Sequence, residues 1–240
     1  AGGTFHVRIN RTAGAINDAT LGLVNLPAGP YLQVSGTGAY LDILGQRLSG
    51  DFTIEQTTTA SNASVLRVGV ANGALSFGDG STPLVNVTNV TGSLVLTSAG
   101  LAGEVSGSVS TAAGLGVVFA GDFKLALNTT TGAVSETLTG GATTVNLAVP
   151  EGPYVRVAGR GVSLTVAGQS LSGDFVVEQV SRANSTKVTR VGVSNVTMSL
   201  GDGTTNYVNL VNGSGYFLAT AGGFAGQFGG SVSVNVPGVA

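Results

Sequence analysis

The chain has 240 residues, 42% hydrophobic and only 9% charged, with a net charge of −2. It can bury a core, but it carries no field that would steer it to nucleic acid or an anionic membrane. It has no cysteine, which excludes disulfides and thiolate metal sites, and no apolar run of about eighteen residues, which excludes a transmembrane helix; the apolar alternation would suit a membrane β-barrel, but with no Trp and 6% aromatics the chain is poor in the residues that form such a barrel's girdles, and that reading is the minor one.

The first predicted element is a strand in which Phe5, Val7 and Ile9 alternate with His6, Arg8 and Asn10, the period-two pattern of a half-buried strand. Thr12-Ala13-Gly14 then reads as a turn, Pro30-Tyr31 as a strand start, and Gly45-Gln46-Arg47-Leu48-Ser49-Gly50-Asp51-Phe52 as the most distinctive motif of the first half. Asn72-Gly73 and Gly78-Asp79-Gly80 follow, both of the hairpin-turn class in which positive φ is needed.

The landmarks then begin again. Gly168-Gln169 and Leu171-Ser172-Gly173-Asp174-Phe175 repeat the motif 123 residues on, and the same offset relates Pro30-Tyr31 to Pro153-Tyr154, Glu55-Gln56 to Glu178-Gln179, Arg67-Val68-Gly69-Val70 to Arg190-Val191-Gly192-Val193, and Gly78-Asp79-Gly80 to Gly201-Asp202-Gly203. Phe5, Asn10 and Gly14 match Phe123, Asn128 and Gly132 at an offset of 118, so the second half carries five extra residues before Pro150. Val162, Leu164 and Val166 alternate with Ser163, Thr165 and Ala167, and Asn212-Gly213 reads as a further turn. No segment shows a 3.6-residue period, and the short periods of a β-solenoid are absent. The expectation is an all-β chain of two tandem homologous antiparallel units, residues 1–117 and 118–240, of sandwich or meander type, with about ten short strands each and minimal helix. A C-terminus joined to another copy's N-terminus would continue the repeat almost in phase. With no initiator Met or signal peptide, the chain reads as an internal piece of a longer array.

The residues offer little chemistry. His6 is the only histidine and Lys124 stands at its counterpart, so neither a catalytic base nor a zinc ligand set is expected, and no helix follows a glycine cluster to bind phosphate. Asp51 with Glu55, and Asp174 with Glu178, lie four apart. On a strand that is about 13 Å, beyond the roughly 5–9.5 Å of a glycosidase pair, and these acids are expected to pair with Arg67 and Arg190 across neighbouring strands, calcium coordination being the alternative. Asp79 and Asp202 in the Gly-Asp-Gly turns are weak calcium candidates, a tight-turn role being the alternative. Of eight Asn-X-Ser/Thr sequons, Asn10 with Asn128 and Asn89 with Asn212 fall at equivalent positions and are the glycosylation candidates. Tyr31, Tyr40, Tyr154, Tyr207 and Tyr216 are the aromatic candidates for a carbohydrate platform, although Tyr31 and Tyr154, each after a proline, read as strand-start pins.

The run from Asn128-Thr129-Thr130 through Pro153-Tyr154-Val155-Arg156-Val157, then Ala167-Gly168-Gln169-Ser170-Leu171-Ser172-Gly173-Asp174-Phe175 with Glu178-Gln179, and finally Gly201-Asp202-Gly203, resembles the tandem units of very large, repeat-rich bacterial surface or secreted proteins. That resemblance implies an extracellular, adhesin-like or matrix-forming role without catalytic residues. The expected function is a non-enzymatic structural module that joins other copies of itself head to tail into a fibre or sheath. The alternative is a stalk or a carbohydrate- or calcium-binding repeat of a giant adhesin. No nucleic-acid partner, membrane insertion or cofactor is expected apart from that calcium candidate. The apolar strands around Phe5, Val7 and Ile9 and around Val232, Val234 and Val236 are the predicted contact edges.

Overall fold

The computed structural model describes residues 1–43, 46–58, 63–78, 82–140, 143–181 and 187–236. Its regular structure is all β, with no helix among the described residues. Strand β1 (Gly2–Asn10) is followed by a small hairpin of β2 (Ile16–Asp18) and β3 (Leu23–Leu26), then by β4 (Tyr31–Ile43), β5 (Gln46–Thr58), β6 (Ser64–Gly78), β7 (Pro83–Thr97) and β8 (Gly100–Thr111). The series then recurs: β9 (Val117–Asn128), a hairpin of β10 (Val134–Gly140) and β11 (Thr143–Val149), then β12 (Tyr154–Val166), β13 (Gln169–Ser181), β14 (Lys187–Gly201), β15 (Asn206–Thr220) and β16 (Gly223–Val234). The five strands after each hairpin match in length from one half to the other, at 13, 13, 15, 15 and 12 residues.

Twelve strands form one antiparallel meander in the order β1-β4-β5-β6-β7-β8-β9-β12-β13-β14-β15-β16, and the two hairpins stand outside it. The halves meet inside this sheet, where β8 pairs β9 from Ala102 opposite Asn128 to Ser110 opposite Ala120. The second layer is a two-stranded hairpin rather than a second large sheet.

The expectation of about ten short strands per half is corrected to eight among the described residues, because Asn-Gly steps read as turns are bulges inside long strands. Asn72 and Asn195 (φ 51° and 54°), and Asn89 and Asn212 (φ 55° and 54°), are left-handed. They sit where the register slips in β6, β14, β7 and β15. Asn tolerates that conformation, and a bulge bends the strand that holds it.

The core lies where hairpin β10–β11 covers one face of the first half. β10 lies against β4 to β6, and β11 against β6 to β9. Val65, Val95, Ala102, Ala126, Leu147, Val149 and Tyr154 are buried there, with Val134 and Val180 packed against them. Each fully buried Val or Leu contributes about 1.5–3 kcal/mol, so this lid is a principal source of stability. On the opposite face Leu32, Ile54, Leu94, Leu96 and Leu125 remain exposed.

Candidate functional site

The repeated motif braces strand ends and bulges. Gln46 at the start of β5 clamps the end of β6: its Nε2 donates to the Gly78 carbonyl at 2.8 Å, and its Oε1 accepts from the Gly78 N–H at 2.7 Å. Gln169 does the same to Gly201, at 2.7 and 2.6 Å. Asp51 holds two bulges together, accepting from the Gly38 N–H at 2.7 Å and from Asn72 Nδ2 at 2.7 Å. Asp174 repeats this with Gly161 and Asn195, both at 2.6 Å. Phe52 and Phe175 lie over Gly36 and Gly159, where an added Cβ would come within 2.5 and 2.3 Å of the rings.

The expected acid–arginine pairing therefore holds for Glu55 with Arg67 and Glu178 with Arg190, each at 3.2 Å. It does not hold for Asp51 and Asp174, whose carboxylates serve the bulges. Their hydrogen bonds hold both carboxyls below the usual range: the Asn72 amide foremost for Asp51, the Gly161 N–H foremost for Asp174.

Asp202 closes its own turn. One oxygen accepts from the N–H groups of Thr204 and Thr205, at 2.8 and 2.7 Å, and the other from the Tyr207 hydroxyl. The Tyr207 bond, followed by those backbone donors, lowers its pKa to about 2. This is the tight-turn arrangement. No group of three or more potential metal ligands occurs among the described residues, and Asp79 lies outside them.

The glycosylation reading is corrected at two of its four positions. Asn128 is fully buried: Nδ2 donates to the carbonyls of Gly132 and Pro150, at 2.8 and 2.7 Å, and Oδ1 accepts from the Thr130 N–H and hydroxyl, both at 2.8 Å. Asn10 makes the same bonds to Gly14, Pro27 and Thr12. Both amide hydrogens are committed at each, so a sugar would displace the clamp that ties the hairpin's two roots together. Asn89 and Asn212 are exposed at their bulges.

Of the tyrosines, Tyr31 and Tyr154 are buried and donate to Glu55 and Glu178, at 3.1 and 3.3 Å. Burial, with Glu55 beside it, pushes the Tyr31 phenol up to about 12. Tyr40 is stacked by Arg47, whose guanidinium carbon lies 4.6 Å from the ring centre.

What remains unpartnered is at the ends. Among the described residues β1 pairs only β4 and β16 pairs only β15. Phe5, Val7 and Ile9, and Val232 and Val234, are each at least half exposed. Beside the open β16 edge, no described residues cover the second half's face as β10–β11 covers that of the first. Arg67 touches both Glu55 and the lid residue Glu136, which is 3.1 Å away, and its side chain is 18% exposed. Arg190 has only Glu178 among the described residues and is 55% exposed. Ser93 and Val95 are buried at 3% and 4%, whereas their counterparts Tyr216 and Leu218 stand at 63% and 37%. Sequence reasoning finds the edges but misses this bare face.

Comparison with known proteins gives no match, whether to a family model, a curated protein or a solved structure.

Proposed function

We propose that this chain is an extracellular, non-catalytic structural module whose two halves, 1–117 and 118–240, are tandem homologous units, and whose copies join head to tail through β16 of one and β1 of the next. The observation that carries the reading is the β8–β9 junction, where the last strand of one half pairs the first strand of the other within a single sheet. Transferred by the repeat offsets, that register sets Ala225 opposite Asn10, Phe228 opposite Val7 and Ser233 opposite Gly2. An unpaired strand flanked by apolar side chains is a ready template for another chain. A head-to-tail contact of this kind does not close, so it propagates as a filament. The resemblance to repeat-rich bacterial surface proteins supports the same assignment.

The test uses the absence of cysteine. Within one chain β1 and β16 lie eleven strand spacings apart, roughly 50 Å along the sheet, and do not pair each other, so covalent species larger than one chain in a Val7→Cys, Phe228→Cys double variant report contact between copies. Mild oxidation is expected to give a ladder of covalent dimers, trimers and longer chains, because facing residues of antiparallel strands lie about 4.5–5.5 Å apart, within disulfide range. A chain that stays monomeric under oxidation at high concentration refutes strand-mediated assembly.

A further inference from the structure

The hairpin β10–β11 roots between β9 and β12 but folds back over β4 to β9, so the insert of the second half covers the first half. It is fastened there by three contacts. Glu136 reaches Arg67, Gln33 Nε2 donates to the Thr139 carbonyl at 3.0 Å, and Leu138 and Val145 sit on Gly69, where an added Cβ would come within 2.9 Å of Leu138 and 3.6 Å of Val145.

The hairpin β2–β3 is built on the same root. Asn10 repeats the Asn128 clamp, and Ile16 faces Leu26 as Val134 faces Val149. Arg8 holds it over β1 by donating to the carbonyls of Val24 and Asn25, at 3.0 and 2.9 Å. Beyond β1 there is no further strand among the described residues. Leu21 and Val24, 71% and 49% exposed, therefore face no floor.

We propose that β2–β3 is the lid of another copy: it seats on the bare face of β13 to β16, and Asp18 there completes on Arg190 the ion cluster that Glu136 completes on Arg67. The inference rests on the head-to-tail reading and names its second contact. Four observations carry it. Asp18 stands at the position of Glu136 in the 118-residue offset, so an acid is placed to meet each arginine. One Asp18 oxygen caps the hairpin tip, accepting from the N–H groups of Thr20 and Leu21 at 2.9 and 3.2 Å, and the other has no partner among the described residues. Gly192 repeats Gly69 with no lid residue above it among the described residues, since an added Cβ there would meet only its strand neighbour Val176, at 3.1 Å. Lastly, lid and floor match in volume. The shorter hairpin, with Val24 where the longer one has Leu147, would lie on Tyr216 and Leu218, whereas the longer one lies on Ser93 and Val95. Small residues meet the large lid and large residues meet the small one.

The test is reciprocal charge reversal in the full chain, followed by sedimentation velocity. Asp18→Lys places like charges on Arg190, and Arg190→Glu places like charges on Asp18. Each variant alone is expected to associate about tenfold more weakly, or less well still, as like charges at an interface do. An equimolar mixture is expected to regain wild-type association, because each junction in an alternating chain is then either the wild-type pair or its reverse. Asp18→Asn, which keeps the tip cap and removes the charge, should fall between. If reversal leaves association unchanged, or if the mixture behaves like the single variants, the lid inference is overturned, while edge pairing stands provided the Val7→Cys, Phe228→Cys ladder still forms. A wild-type chain that sediments as a monomer at every concentration, with no ladder, overturns both.

Discussion

Replacing Asn128 by alanine should be among the most damaging polar substitutions in this chain. The side chain is fully buried and makes four hydrogen bonds, two donated to the carbonyls of Gly132 and Pro150 and two accepted from Thr130. At about 1 kcal/mol net for each bond, and with two carbonyls and one N–H left facing a void, the loss is about 3–5 kcal/mol. The melting temperature of a chain this size moves by roughly 2–4 °C per kcal/mol, so Tm should fall by roughly 6–20 °C. Because these bonds fix both roots of the lid, the loss should come with exposure of Arg67 and of the core beneath it, visible as faster amide exchange in β6 and β7. Calorimetry with urea unfolding measures the free energy. A loss below about 1 kcal/mol would refute the clamp, as would a chain that carries a sugar at Asn128 and keeps the unmodified Tm.

Stability should be level above about pH 5 and fall as the pH drops from about 4 toward 2. Asp202, held near 2 by Tyr207 and two backbone N–H groups, and Asp51 and Asp174, held low by their bulge donors, all have folded pKa values below the unfolded one of about 3.9, so their stabilisation is present above that value and lost on protonation. In Asp202→Asn the acid limb should be shallower, and an unchanged limb would contradict the assignment. Gly201→Ala places a Cβ 1.8 Å from the Thr205 carbonyl oxygen, so the turn must open and the Gln169 clamp with it, at a cost of about 2 kcal/mol or more; Gly222→Ala, whose Cβ meets nothing nearer than 3.7 Å, serves as the unaffected control in the same urea titration.

The all-β meander was legible because alternation and a fixed offset are local or linear signals. Glu55 with Arg67 was legible for a related reason: neighbouring hairpin strands bring residues twelve apart face to face. What failed depended on context. An Asn-Gly step has the same left-handed preference whether it turns a hairpin or bulges a strand, and only the pairing on either side of Asn72 and Asn212 decides which. The Asn-X-Thr pattern at Asn128 likewise reads as a sugar acceptor until both amide hydrogens are seen to be donated inward. The lid was invisible for a stronger reason. Glu136 meets Arg67 across 69 residues, a contact that neither strand register nor turn chemistry implies. One linear signal did exist: acids at both 18 and 136, and Arg-x-Gly at both 67–69 and 190–192, recur in step with the halves.

That recurrence, combined with what differs, constrains how an array of such chains would be ordered. In the proposed assembly every floor carries a glycine and an arginine, so any lid could find its charge and its close approach. Charge therefore does not tell the two lids apart; connectivity does, since β9 is paired to β8 within the chain and keeps β10–β11 over the first floor, and volume opposes the same exchange. Setting β10–β11 on the second floor would drive Leu147 toward Tyr216 and Leu218, overpacking of the kind that costs about 1–3 kcal/mol. Setting β2–β3 on the first floor would leave Ser93 and Val95 beneath a lid with five fewer residues, and the void would cost a similar amount. The two mismatches act together against the wrong order. Long and short lids should then alternate, and the repeat of the assembly would be the whole chain rather than its half.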